Sequence, residues 1–201
     1  MVEIVEGSLS FQFGVGLNAI KFDKTDWHLH QMRSSLKAMD ILANNANPDL
    51  TGDRPIRHWW IEIKNCLGDE AANQTRMAPT DLPEVKSTSD WIKQQGWEAQ
   101  VAVRPRKMYI IDELIAKLRD TLASMNLAAL HADPELAPFL LASRQNLTIV
   151  LIISWELNDF KRLAKALQTK LERALQPYGL QGFVVGEHGA VPGLPCTIKR
   201  H

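Results

Sequence analysis

The stretch HWWIEIKNC, residues 58–66, combines the pattern of a buried strand with two opposite charges. Most of its side chains are aromatic, β-branched or otherwise apolar, which predicts a β-strand in the protein interior. Side chains alternate along a strand, so Glu62 and Lys64 share one face. The other face carries Trp59, Ile61 and Ile63. We therefore expect the wholly apolar face to lie against the core, and the first face to carry both charges together.

A second apolar segment, AMDILAN at residues 38–44, also contains a single acid, Asp40. A turn-rich connection at 45–55 joins it to the strand of Glu62, which predicts an antiparallel pair. Asp40 would then meet Glu62 and Lys64 near the ends of two adjacent strands. Two neighbouring carboxylates repel each other, and a hard cation relieves that repulsion. The arrangement therefore favours a cation site.

The competing interpretation is structural. Glu62 and Lys64 would form an ion pair on a half-exposed sheet, and Asp40 would only begin a turn. Burying charge in an apolar strand costs several kcal/mol unless the charge is paired or bound to a metal. That cost argues against a purely incidental pair.

The remaining pattern predicts an α/β fold in a single domain over residues 1–201, with a central mixed sheet flanked by helices. A polar, irregular insertion is expected at about 67–106. The strands at 9–14 and 17–23 should pair through a turn at 14–16. Further strands are predicted at 147–155 and 182–186, and helices at 27–37, 107–130 and 158–176.

Composition limits the classes of function. Lys+Arg and Asp+Glu number 23 each, which argues against a protein that simply coats nucleic acid. The longest apolar run, at 147–155, is far shorter than the roughly 20 residues that span a bilayer. Cys66 and Cys196 form neither a disulfide framework nor a CxxC motif. We expect a cytoplasmic protein that does not enter a membrane.

The constellation Asp40…Glu62-Ile63-Lys64 resembles the active site of the PD-(D/E)XK nuclease superfamily. The order of elements is also similar over about residues 20–155: a helix, the strand of the aspartate, the E-x-K strand, a helix and a strand. The resemblance implies a restriction-endonuclease-like core. It also implies that Mg²⁺ (or Mn²⁺) is bound by Asp40, Glu62 and the main-chain carbonyl of Ile63, with Lys64 as the catalytic lysine.

The substrate implied by this resemblance is nucleic acid, with DNA favoured over RNA. The segment KLRDTLASM, residues 117–125, is similar to the helix that follows the motif in some bacterial members, which implies that Lys117, Arg119 and Asp120 lie near the site. Lys161 and Arg173 fall on the polar side of the last long helix. That side is either a solvated surface or one that follows a phosphate backbone.

Two departures from the family pattern keep a second hypothesis open. The residue after Lys64 is Asn65, followed by Cys66, with no basic residue close behind. Many relatives carry a glutamate on the first helix, whereas this chain has none between Glu6 and Glu62. Asp23 or Asp26 would have to complete the site. The alternative is a catalytically inactive, nuclease-like domain that serves as a protein-binding or regulatory partner. The oligomeric state does not follow from the sequence.

Overall fold

Two β-sheets and a layer of helices make up the chain in a computed structural model, which describes residues 1–32, 35–46, 55–80, 83–101, 108–141 and 146–201. The larger sheet has five strands and the smaller sheet has three. The five strands are β3 (Asn18–Lys21), β4 (Ile41–Asn44), β5 (His58–Asn65), β6 (Leu147–Ser154) and β7 (Gln181–Gly186). The three are β1 (Val2–Glu6), β2 (Leu9–Phe13) and β8 (Cys196–Arg200).

The five-stranded sheet is mixed, and its spatial order follows the chain from β3 to β7. The pairs β3–β4 and β4–β5 are antiparallel, whereas β5–β6 and β6–β7 are parallel. Parallel neighbours require a crossover, which the helices supply. The predicted mixed α/β sheet, with its antiparallel pair of β4 and β5, is confirmed.

Four α-helices accompany the sheets in the described part of the chain: α1 (Glu70–Asn73), α2 (Pro83–Gln94), α3 (Ile110–Leu130) and α4 (Leu157–Leu175). The long helices α3 and α4 were both predicted from their apolar period. The segment at about 67–106 was expected to be irregular, and this was wrong, because it contains α1, α2 and a 3-10 turn at Gln74–Met77. Its residues 81–82 and 102–106 lie outside the described ranges. None of the described helices is long and apolar enough to cross a membrane.

Strand β5 is buried on both faces over residues 58–63, so the half-exposed sheet of the competing, structural interpretation is wrong. Trp60 lies on the helix side, in one core with Leu114 and Leu118 of α3. Trp59 and Ile61 lie on the opposite side, in a second core that includes apolar side chains of the three-stranded sheet. The sheet is therefore covered by helices on one face and by a second sheet on the other, and Glu62 faces the helices.

The predicted hairpin of the strands at 9–14 and 17–23 is also wrong. Strand β2 instead pairs with β1 and with β8, both antiparallel. A two-residue loop joins β1 to β2, and its first residue, Gly7, has a φ of 58°, which glycine adopts without strain. The chain then leaves the small sheet after Phe13 and enters the large one at Asn18.

A helix was predicted at 27–37, and residues 26–32 are helical, although most of them form a π-helical turn in place of an α-helix. A 3-10 turn spans Phe22–Lys24 and a π-helical turn spans His28–Met32. The hydroxyl of Thr25 links them, because it donates to the Phe22 carbonyl at 2.8 Å and accepts from the His28 N–H at 3.2 Å. Thr25 was one of the two predicted caps. Residues 33–34 of the predicted helix lie outside the described ranges.

Helix α4 is fastened to the outer strand of the large sheet by one side chain. The amide of Gln168 donates to the Gly182 carbonyl and accepts from the Val184 N–H, both at 2.8 Å. These are the two kinds of hydrogen bond that a neighbouring strand would make with β7. Gln168 therefore pairs with main-chain groups of β7.

Close packing of α4 on β7 requires a glycine at 182. A Cβ there would clash with Cδ1 of Leu175 and would lie 3.0 Å from Cδ2 of Leu171. We expect Gly182→Ala to lower the free energy of unfolding by about 1–3 kcal/mol, as overpacking usually does. The double variant Gly182→Ala/Leu175→Ala should lose less stability than the sum of the two single changes. Urea unfolding of the three variants measures this, and strict additivity would contradict the packing argument.

Candidate functional site

Three carboxylates and three cationic side chains form one connected cluster between β5 and α3. Asp40 and Glu62 come from the sheet, and Glu113 comes from α3. Each carboxylate contacts at least one cation of the cluster. The cations are Lys64, Arg76 and Lys117.

Asp40 is held in place mainly by main-chain hydrogen bonds. It comes immediately before β4, where its N–H donates to the Ile61 carbonyl at 3.1 Å and its carbonyl accepts from the Phe22 N–H at 3.0 Å. Its Oδ2 accepts from the Ile63 N–H at 2.7 Å. The remaining oxygen, Oδ1, is thereby directed to Lys117, 3.2 Å away.

Glu62 is the centre of the cluster. Its side chain is 0% exposed, and its Oε1 lies 2.7 Å from the Nζ atoms of both Lys64 and Lys117. Lys117 also donates to Oε2 at 2.9 Å. Oε1 has hydrogen-bond geometry with neither ammonium, although it is buried and close to both. Two lysines therefore compensate part of the burial of this carboxylate.

Helix α3, which packs on one face of the sheet, contributes two side chains to the cluster. Glu113 and Lys117 are four residues apart, so they lie on the same side of the helix. Glu113 accepts a hydrogen bond from Lys64 at 2.9 Å. It also contacts Arg76, from the 3-10 turn Gln74–Met77. The insertion thus contributes directly to this cluster.

Burial opposes ionisation of the two sheet carboxylates. It raises the pKa of Glu62, as does the charge of Asp40, and the two lysines only partly offset this, so that the pKa is about 7. Burial likewise raises the pKa of Asp40, against the attraction of Lys117 and the Ile63 N–H. Both carboxylates are consequently harder to ionise than in water.

The pKa values of the two groups on α3 shift in the direction that favours their charged forms. Burial alone would raise the pKa of Glu113, but Lys64 and Arg76 outweigh it and lower that pKa. Burial alone would lower the pKa of Lys117, but Glu62 and Asp40 outweigh it and raise that pKa. Lys117 therefore stays cationic between the two acids.

The cluster is accessible to solvent at its margin. Apart from Glu62, its side chains keep between 13% and 20% of their surface exposed. A ligand could reach Asp40 and the lysines from that side, while the centre stays dry. Charges in such a place interact more strongly than charges in open water.

The structure brings together Asp40, Glu62 and Lys64, as the sequence pattern predicted. Lys117 also lies in the cluster, where it contacts both acids. The observed contribution of Ile63 is its N–H, and its role as a carbonyl ligand stays a prediction.

The other predicted nucleic-acid contacts lie outside this cluster. Arg119 is exposed on α3, two positions beyond Lys117 and so on another side of the helix. Lys161 and Arg173 are exposed on α4. Their predicted contact with nucleic acid stays a prediction.

Sequence reasoning missed Glu113 and Arg76. The i, i+4 spacing of Glu113 and Lys117 beside the apolar stripe of α3 was a usable signal for the first. Asp23 and Asp26, the proposed substitutes for a glutamate on the first helix, form no ion pair with the three cations of the cluster in the described part of the chain. The Asp26 side chain is 92% exposed, and Asp23 lies 3.6 Å from Lys24.

The donor set fits a magnesium ion in part. Among the described residues, no group of three or more His, Cys, Asp and Glu side chains converges as a metal site. Asp40 Oδ1 and Glu62 Oε1 nevertheless lie 3.2 Å and 2.7 Å from the same ammonium nitrogen. Mg²⁺ commonly uses one or two carboxylates and keeps several waters, so two carboxylates suffice for it.

Comparisons with protein-family models, with curated proteins and with solved structures found no match.

Because the pKa of Glu62 is raised from 4.5 to about 7, the folded state holds its proton more tightly than the unfolded chain does. The stability that protonated Glu62 contributes is therefore full below about pH 4.5 and is lost as the pH rises towards 7. We expect Glu62→Gln to remove this loss, which is on the order of 3 kcal/mol. Urea unfolding of both proteins between pH about 4.5 and 8 measures the difference.

Glu84→Gln is the matched control, because Glu84 is exposed on α2. Its pH profile should follow that of the wild type. If the profile of Glu62→Gln also runs parallel to the wild type, Glu62 is ionised throughout and the two lysines outweigh its burial.

Proposed function

We propose that this protein hydrolyses phosphodiester bonds in nucleic acid, with Mg²⁺ or Mn²⁺ as the cofactor. The proposal includes a restriction-endonuclease-like core. The order of described elements supports it: helical turns at Phe22–Lys24 and His28–Met32, then β4 with Asp40 beside it, β5 with Glu62 and Lys64, α3 and β6. The substrate is DNA in preference to RNA.

The position of the Lys117 ammonium is the observation that carries the proposal. It lies within 3.2 Å of Asp40 and within 2.9 Å of both oxygens of Glu62. The ammonium group of Lys117 lies between the two carboxylates, so their oxygens form a site that binds positive charge. A divalent ion has a stronger attraction for the same oxygens, and the flexible stem of Lys117 allows its ammonium to withdraw.

Each residue then has a distinct role. Asp40 and Glu62 would hold the ion, which would supply an activated water and neutralise charge on the phosphate. Lys64, oriented by Glu62 and Glu113, stabilises the charge that develops on the phosphate oxygens. The contact of Glu113 with Lys64 therefore makes Glu113 a positioning residue.

The balance of charge in the cluster favours a second candidate function. Its three carboxylates, when all are ionised, balance three cations, so the cluster then needs no metal for neutrality. A satisfied network of this kind can serve structure alone. The corresponding function is a catalytically inactive domain that binds or regulates another protein.

The first test is hydrolytic activity. Lys64→Ala should abolish Mg²⁺- or Mn²⁺-dependent cleavage but leave Mg²⁺ binding nearly intact, because an ammonium is not a ligand. Asp40→Ala should lose both cleavage and binding. The assay measures degradation of single- and double-stranded DNA and of RNA, and calorimetry measures metal binding. A wild type that cuts none of these substrates, or a Lys64→Ala variant that cuts as well as wild type, would refute catalysis here.

Lys161→Ala and Arg173→Ala are the controls outside the cluster. Each should leave metal binding unchanged, weaken nucleic-acid binding and reduce the salt dependence of that binding. If both bind DNA as the wild type does at every salt concentration, this face of α4 does not follow the phosphate backbone.

The second test separates the two candidate functions through Lys117. Lys117→Met leaves Asp40 and Glu62 without their shared cation, and we expect it to cost about 3–5 kcal/mol of unfolding free energy at pH about 8. If the acids bind Mg²⁺, the ion at 100 times its Kd should restore about 2.7 kcal/mol. Arg119→Met, an exposed change two residues away, should alter stability by no more than about 0.5 kcal/mol and show no such rescue. Absence of rescue in Lys117→Met would favour the structural cluster and the binding function.

A further inference from the structure

A groove of about 430 Å³ lies beside the acid–base cluster. One wall is the segment at 74–80, with Gln74 and Met77, which belongs to the same 3-10 turn as Arg76. Arg76 itself contacts Glu113, so a single short segment borders both the cluster and the groove. The volume is within the range of small-molecule pockets.

The opposite wall is one side of α4 together with the end of β6. Asp159, Arg162 and Leu163 line it at helical spacing, and the half-buried Trp155 follows the last residue of β6. In the strand register Lys64 is opposite Ile153, so the main chain of Trp155 continues roughly 7 Å beyond Lys64. Ligands of open α/β sheets bind outside the carboxyl ends of such parallel strands.

The chemistry of the groove combines flat apolar surface with a polar rim. Trp155, Met77 and Leu163 provide the apolar surface, whereas Gln74, Asp159 and Arg162 provide donors and acceptors. A nucleobase has this combination of an apolar face and polar edges, and aromatic side chains bind bases by stacking. A purely aliphatic ligand would leave the polar rim unused.

The positive charge of α4 favours a base that is part of a polyanion. The helix carries five Lys and Arg and two Asp and Glu, although the whole chain is neutral. Lys161, Arg162 and Lys165 are exposed in its first half, beside the groove. A single strand whose phosphates follow these side chains could place one base in the groove and an adjacent phosphate near Lys64.

We infer that this groove is a nucleobase subsite, in which Trp155 stacks on one base of a nucleic-acid strand whose backbone reaches the cluster at Lys64. The inference rests on the proposed function for the identity of the ligand, but it makes a claim about binding that holds with or without cleavage. Trp155 is a binding residue in this scheme and takes no part in the hydrolytic step.

The test measures binding of a short fluorescent oligothymidylate in the absence of divalent metal. Trp155→Ala should weaken binding by about 5- to 150-fold, the range that loss of one stacked base produces. Trp155→Phe should restore most of the affinity, because it keeps a stacking face. A ribose–phosphate oligomer without bases should bind wild type and Trp155→Ala equally.

Two controls separate stacking from misfolding and from general electrostatics. Arg162→Ala changes a side chain that is 89% exposed, so it should not perturb folding. It should weaken oligothymidylate binding and reduce its salt dependence. Trp91→Ala, at an exposed tryptophan outside the groove, should bind as the wild type does. Thermal unfolding of each variant identifies any that is not folded. If Trp155→Ala is among them, a wild type that binds the base-free oligomer as tightly as oligothymidylate contradicts the inference.

The outcomes distinguish this inference from the proposed function. If the wild type cleaves nucleic acid while Trp155→Ala and Arg162→Ala bind it normally, the groove is not a base subsite and the hydrolytic function stands. If the wild type binds through Trp155 but does not cleave, the subsite stands and catalysis fails. If the wild type binds no oligonucleotide, the inference is overturned. It is also overturned if an apolar peptide displaces bound oligothymidylate, because the groove then binds peptides.

Discussion

The burial of one carboxylate, that of Glu62, sets the arrangement of everything around it. An ionised side chain with no exposure would cost several kcal/mol if it were left alone. Lys64, from the same strand, and Lys117, from the helix above, supply part of the compensation. This requirement fixes the rotation of α3, because Lys117 must point at the sheet while Leu114 and Leu118 on either side pack into the core. The charges therefore specify how the helix is seated.

The same burial explains why the site lies at one end of the sheet. The faces of β5 are covered by helices on one side and by the three-stranded sheet on the other. A ligand can reach a strand covered in this way only near its ends. Asp40 and Lys64 are near such an end, and the segment carrying Arg76 closes one side of it. The cluster and the groove beside Trp155 are consequently two parts of one rim.

Much of the fold was predictable because its long elements have a clear period. The helices α3 and α4 and the strands β5 and β6 follow from apolar spacing, and the convergence of Asp40 with Glu62 and Lys64 follows from alternation on paired strands. The competing, structural interpretation misjudged the exposure of that face, because charges in a strand usually indicate solvent. Here the helix α3 brings counter-charges, and a single strand gives no sign of what will cover it.

The parts that could not be predicted depend on distant partners. The strand β8 is short, and it pairs with β2 from the opposite end of the chain, so no local pattern reveals it. Arg76 enters the cluster only because a 3-10 turn docks over α3. Glu113 had a local signal in its spacing from Lys117, but its partner Lys64 is 49 residues away. Contacts of this kind are set by tertiary packing and not by propensity.

The hydrogen bonds of Gln168 have a consequence for the protein at high concentration. Among the described strands, β7 pairs with β6 alone, so its outer side is the kind of edge that recruits strands from other molecules. The Gln168 amide already occupies the Gly182 carbonyl and the Val184 N–H on that strand. A second molecule that tried to extend the sheet would have to displace this side chain first. Helix α4 thus opposes fibril-like association at this edge. It does so through a neutral side chain, whereas sheet edges more often carry charged ones.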